Sequence, residues 1–117
     1  MLHGIKLHGF FKSSCSHRVR IALHLKKLPY ETVVVNLDKG DHLKPEYQKM
    51  NPSGLIPTLE INGLVLTESL PICEYLDEVY PERGVRLLPP MTDKHTLVDA
   101  KLRFRVRRLC EIINAST

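Results

Sequence analysis

The stretch Ile56-Pro57-Thr58-Leu59-Glu60-Ile61-Asn62-Gly63-Leu64-Val65-Leu66 decides the fold of this 117-residue chain. Asn62-Gly63 is the strongest two-residue hairpin signal, because such a turn needs positive φ at both central residues and these two types accept it. The flanking runs, 58–61 and 64–66, are therefore expected to pair antiparallel. Just upstream, Asn51-Pro52-Ser53-Gly54 is a dense turn signal. Just downstream, Ser69 stands as an N-cap, Pro71 is tolerated in a first helical turn, and Ile72, Leu76 and Val79 form an apolar face opposite Glu74, Asp77 and Glu78 until Pro81 ends the helix.

Further upstream, Ile5, Leu7 and Gly9 alternate with Lys6 and His8 as in a half-buried strand, and residues 10–14 read as a loop. Over 16–27, Val19, Ala22 and Leu23 share one helical face and Ile21, Leu25 and Leu28 another, so this helix is expected to be covered on two sides. Pro29 stops it, and Thr32-Val33-Val34-Val35 follows as a buried strand, completing a βαβ unit with parallel strands. Residues 38–50 read as irregular, with a short helix near 46–49. The order β-α-β, loop, β-β-α is that of a thioredoxin-like α/β domain, a mixed four-stranded sheet with helices on both faces.

That gives a domain over 1–82, a Pro-rich linker over 83–93, and a helix within 94–117. In the last, Val98, Leu102, Val106, Leu109, Cys110 and Ile113 form an apolar face that a lone helix cannot bury.

Charge follows the same division. Of 17 basic and 13 acidic residues, six and two lie from Lys94 onward, which leaves 11 of each in the body. With the basic excess confined to the tail and only Phe104 interleaved in it, nucleic-acid binding is not expected. No apolar run approaches the roughly 20 residues of a membrane span, and the start lacks a signal peptide's apolar stretch, so a cytoplasmic protein is expected. Three cysteines, Cys15, Cys73 and Cys110, argue for reduced thiols rather than a disulfide framework. The histidines His3, His8, His24 and His95 have no partners at metal-ligand spacing, and no metal site is expected.

A domain of this order sets the loop after its first strand at the N-terminus of its first helix, where unpaired N–H groups and the helix dipole favour an anion. That loop reads Ser13-Ser14-Cys15-Ser16-His17-Arg18. No second cysteine follows at redox spacing, so the hydroxyls point to hydrogen bonds with a thiolate supplied from outside; the alternative for a serine cluster here is helix capping. Lowering a thiol by about two units from ~8.5 takes ~2.7 kcal/mol, within reach of one hydroxyl and a helix N-terminus.

Ile56-Pro57 sits where such domains carry a cis proline, whose preceding backbone N–H and C=O can pair with an extended peptide. Glu68-Ser69 offers a carboxylate for an α-ammonium group, and a hydroxyl with N–H groups for an α-carboxylate. A γ-glutamyl peptide thiol, glutathione, presents all of these.

The run Ser13-Ser14-Cys15-Ser16-X-Arg18-Val19-Arg20-Ile21-Ala22-Leu23, with Asn51-Pro52, Ile56-Pro57-Thr58-Leu59 and Glu68-Ser69-Leu70-X-Ile72-X-Glu74-Tyr75-Leu76, resembles zeta-class glutathione transferases, the maleylacetoacetate isomerases. The resemblance implies a catalytic hydroxyl at Ser13 with Ser14 and Cys15 beside the thiol. It implies glutathione contacts from Ser13, Ser14, Cys15, Ser16, His17, Arg18, His42, Ile56, Glu68 and Ser69. It further implies a cytoplasmic homodimer that isomerises a small organic acid in tyrosine and phenylalanine catabolism.

The chain departs from the family pattern at His17, where Trp is usual, at His42, where Gln is usual, and at Leu55-Ile56, where Gln-Val is common. It also stops at Ala115-Ser116-Thr117, where the family continues into further helices, so the helical part is expected to be truncated. Two alternatives stay open: a thiol transferase or dehalogenase using Cys15 as nucleophile, and a non-catalytic interaction module of the same fold.

Overall fold

The structure, a computed structural model, describes residues 4–90 and 96–115. It runs β1 (Lys6–Gly9), α1 (Ser14–Leu25), β2 (Glu31–Val34), a 3-10 turn (Asp41–Leu43), α2 (Pro45–Met50), β3 (Thr58–Ile61), β4 (Leu64–Thr67), α3 (Ser69–Val79) and α4 (Leu97–Ala115). The Asn62-Gly63 turn forms with φ of 52° and 75°, and sets Ile61 opposite Leu64 and Thr58 opposite Thr67. β1 pairs parallel with β2 and antiparallel with β3, giving the strand order β2-β1-β3-β4.

Strand alternation sorts the two faces. Leu7, Leu59 and Ile61 pack with Val19, Ala22 and Leu23 of α1 and with Ile72 and Leu76 of α3 in the main core. The other face carries His8, whose Nε2 lies 2.6 Å from Glu60 Oε2, and Thr58, which bonds to the buried Tyr47 of α2. The domain is thioredoxin-like, followed by one helix of a helical domain.

Five expectations change, the first being that β2 is mostly exposed rather than buried, with Val34 64% exposed on this edge strand. α1 starts two residues early, at Ser14, because Ser13 caps it. It is covered on one side rather than two, with Ile21 and Leu25 nearly half exposed. Ser69 is the first helical residue of α3, not its N-cap; Glu68 holds the cap position with φ of 74° and makes no side-chain cap bond. Asp77 is buried, not on an exposed acidic face.

The reason for the last is Lys26, fully buried at the C-terminus of α1, whose Nζ donates to Asp77 Oδ1 at 3.0 Å and to Val85 O at 3.2 Å. Asp77 also accepts from the N–H groups of Leu87 and Leu88, at 2.9 and 3.0 Å. Burial alone would raise its pKa, but those two backbone bonds and then Lys26 outweigh it and hold the carboxyl below its ordinary value. The linker therefore crosses α1 as a stitched strap, and Gly84 is where it comes closest: a Cβ there would lie 1.9 Å from Leu25 O. Linker residues 91–93 and the histidines His3 and His95 lie outside the described residues.

α4 buries none of its residues. Its contacts come from a polar edge: Arg103 donates to Pro89 O at 2.6 Å, Arg107 to Glu74 Oε1 at 2.9 Å, and Asn114 accepts from Arg18 at 2.7 Å. Leu102, Leu109 and Ile113 of the expected apolar face stay exposed.

Candidate functional site

Ser13 is extended, with φ of −87° and ψ of 120°, and its Oγ accepts from Ser16 N–H at 3.1 Å. The capping alternative is thus present, yet it occupies only a lone pair and leaves the hydroxyl proton free to donate. The first turn of α1 carries no acidic residue that would oppose an anion. Cys15 is half-buried and Ser14 exposed.

Arg18 sits beside this corner: Nη1 lies 3.7 Å from Cys15 Sγ, 3.4 Å from Ser69 Oγ and 2.7 Å from Asn114 Oδ1. One guanidinium thereby joins the start of α1, the start of α3 and the end of α4.

Cys15, Ile56, Pro57, Glu68 and Ser69 line a common cleft of about 320 Å³, walled on the far side by Glu111 and Asn114. The Ile56-Pro57 bond is cis, as expected. A buried network holds this loop: Asn51 Nδ2 donates to Leu55 O at 2.9 Å and to Thr58 Oγ1 at 3.2 Å, and the Tyr47 hydroxyl donates to the same Leu55 carbonyl. Burial pushes the Tyr47 phenol up, against the pull of its Thr58 and Asn51 bonds, which suits its role as a donor. At the opposite lip, the positive φ of Glu68 is a conformation that L-residues rarely adopt, and such outliers gather at ligand sites.

Six expected contacts do not line this cleft: Ser13 and Ser14 stand at the start of α1 beside it, Arg18 reaches Ser69 and Asn114 of its wall, and Ser16, His17 and His42 lie elsewhere. Ser16 is fully buried and its Oγ accepts from Phe10 N–H at 3.4 Å, so it braces the loop rather than lining the cleft. His17 is exposed, with Nδ1 3.2 Å from Arg20 Nη2. His42 stands half-buried on the 3-10 turn, and its backbone carbonyl rather than its ring approaches the neck of the loop at Gly54. The sequence reading missed Tyr47, Asn51, Glu111 and Asn114. Asn51 was legible as a turn residue and as part of the Asn51-Pro52 motif but not as the brace of this loop, and nothing local marks which face of α4 meets the cleft. Among the described residues, no group of three or more His, Cys, Asp or Glu side chains could hold a metal ion, and no helix is long and apolar enough to cross a membrane.

A cis-proline loop, a hydroxyl-capped helix N-terminus and a strained Glu-Ser lip, meeting at one edge of a thioredoxin-like sheet, are the marks of a glutathione-binding domain. Residues 12–79 match the glutathione S-transferase N-terminal domain, and the chain belongs to that family. Within it, the chain is 50% identical over 78 residues to glutathione S-transferase Z1 of Arabidopsis thaliana, a match covering 67% of this chain and 35% of that protein. Its fold is similar to holo maleylpyruvate isomerase, a bacterial zeta-class glutathione S-transferase, with TM-score 0.81 and 43% identity over 93% of this chain and 47% of that one. It is also similar to maleylacetoacetate isomerase of Methylobacterium extorquens AM1, solved with malonate and glutathione bound, with TM-score 0.79 and 40% identity over 92% and 46%. The chain thus spans less than half the length of each.

Proposed function

We propose that this chain carries the glutathione site of a zeta-class, glutathione-dependent cis–trans isomerase acting on maleylacetoacetate in tyrosine and phenylalanine catabolism, with glutathione transfer as a side activity. The observation that carries this reading is the cleft in which Cys15, Ile56, cis-Pro57, Glu68 and Ser69 converge at the N-terminus of α1. Both solved relatives are named for cis-enedione acids, which share one chemistry.

The residues present fit glutathione. Ile56 would offer its backbone N–H and C=O to the cysteinyl unit, Glu68 a carboxylate to the α-ammonium group, and Ser69 its hydroxyl to the α-carboxylate, with the Arg18 guanidinium that donates to Ser69 adding positive charge behind it. The Ser13 proton and the α1 N-terminus would hold the sulfur as thiolate. When bound, glutathione supplies reversible addition of sulfur to the cis double bond, rotation about the single bond so formed, and loss of sulfur to give the trans acid. A cytoplasmic homodimer, with the domain over 1–82, the linker over 83–93 and the first helix of a helical domain over 94–117, belongs to the same reading.

The test is titration of the glutathione thiol on the protein by thiolate ultraviolet absorbance. We expect it to ionise about two pH units below the ~8.5 of a free thiol, and Ser13→Ala to return it toward that value. In an isomerase assay the same change should lower turnover roughly 100-fold. An unshifted thiol in the unmodified chain would overturn the reading; a shift that survives in Ser13→Ala would move the role to Ser14 or Cys15.

The Arg18 guanidinium beside Cys15 Sγ favours one second reading, a thiol transferase or dehalogenase with Cys15 as nucleophile. Cys15→Ala separates the two, since it abolishes disulfide exchange under the second and spares isomerisation under the first.

A further inference from the structure

Two thiols outside that cleft, Cys73 of α3 and Cys110 of α4, border the gap between these helices and are near enough for Cys110 to influence the Cys73 thiol. Cys73 and Cys110 line one cavity of about 360 Å³ together with Leu87 and Leu88 of the linker. The ion pair between Glu74 and Arg107, 2.9 Å long, clasps the two helices beside it. Glu74 follows Cys73 directly, and Arg107 precedes Cys110 by three residues, about 4.5 Å along the same helical face. Each cysteine therefore lies within one turn of the point where the helices are tied.

We propose that Cys73 and Cys110 are a reversible redox pair, closing an intramolecular disulfide that tethers α4 to α3 when the chain meets a low-molecular-weight disulfide. Cys110, half-exposed on a helix with no buried residues, is the accessible partner. Its thiolate attacks the disulfide R–S–S–R, forming a mixed disulfide and releasing one R–S⁻. Cys73 then loses its proton and attacks the Cys110 sulfur, releasing the second R–S⁻. Two protein thiols are oxidised and one small disulfide is reduced to two thiols.

Cys73 is the slow partner: it does not react with the small disulfide itself and closes the bond only because its position beside Cys110 makes the second step intramolecular. Burial first, then the neighbouring Cys110, pushes its thiol up to about 11, and its Sγ meanwhile donates to Arg18 O at 3.9 Å. The tether would reach the ligand cleft through α4. Glu111 and Asn114, immediately after Cys110, form the far wall of that cleft, and Asn114 holds Arg18.

The experiment treats the whole chain with bis(2-hydroxyethyl) disulfide, which has no γ-glutamyl group and so tests the pair independently of the glutathione reading. Whatever Cys15 does, we expect the Cys73 and Cys110 thiols to disappear together, peptide mapping to join Cys73 to Cys110 within one molecule, and dithiothreitol to restore both. Cys73→Ser should stop the reaction at a mixed disulfide on Cys110, and Cys110→Ser should leave Cys73 unreacted. Amide hydrogen exchange over residues 107–114 should slow on oxidation by several-fold. A Cys73–Cys110 disulfide between chains, a stable mixed disulfide on Cys110 in the unmodified chain, or no reaction at Cys73 would each overturn the proposal.

Discussion

α1 and α4 are both amphipathic by pattern, yet only α1 buries its stripe. Val19, Ala22 and Leu23 of α1 are buried because β1, β3 and α3 present apolar side chains to them. Leu102, Leu109 and Ile113 of α4 stay exposed, only Val106 and Cys110 of its stripe border α3 across a cavity, and the helix is held by Arg103, Arg107 and Asn114. An apolar stripe says that a helix will bury a face; it does not say against what. Where the nearest surface offers carbonyls and carboxylates, the polar edge docks and most of the stripe is left exposed.

The largest expected effect lies under α1. Asp77→Ala strands Lys26 as an uncompensated buried charge and should cost about 3–5 kcal/mol in urea denaturation, whereas Lys26→Met with Asp77→Leu should cost far less. A loss below 1 kcal/mol for the single change would mean that Lys26 reaches water. Acid probes the same contact. The folded pKa of Asp77 is held below its unfolded value, so its contribution is complete above about pH 4 and is lost as pH falls through the lower folded value. In Asp77→Asn that part of the acid sensitivity should vanish from melts recorded between neutral pH and pH 2.

At the start of α1, Ser13→Ala removes the cap and should lower stability by about 1 kcal/mol, measured apart from any effect on glutathione. On α4 the changes shrink. The Glu74–Arg107 pair is about half exposed on both sides, so Glu74→Gln should cost less than about 1 kcal/mol and lose even that in high salt. Leu109→Ser should shift the melt by no more than about 0.5 kcal/mol and, if anything, reduce self-association in light scattering. A large destabilisation there would show that the stripe is covered in solution.

Much of the fold and part of the site were legible before any coordinates. Asn62-Gly63 dictated its hairpin because the turn's positive φ values are a property of those two residues. The βαβ order, the cis bond at Pro57 and the convergence of Cys15, Ile56, Glu68 and Ser69 followed from element order and short motifs. Such signals are local: they depend on backbone preference and on residues a few positions apart.

What the sequence could not reveal depends on contacts between distant segments. Lys26 and Lys27 are neighbours of equal chemistry, yet one is fully buried and the other exposed, because Asp77 and the 85–88 strap arrive over only one of them. Ser16 looked like its neighbours in a ligand loop until the turn of α1 aimed it at Phe10 N–H. Cys73 and Cys110, 37 residues apart in number, line one cavity only because α3 and α4 meet there. Sequence set the backbone preferences and the inventory of chemistry; tertiary packing chose the partners, since the cost of burying a charge or a polar group is decided by what stands opposite it.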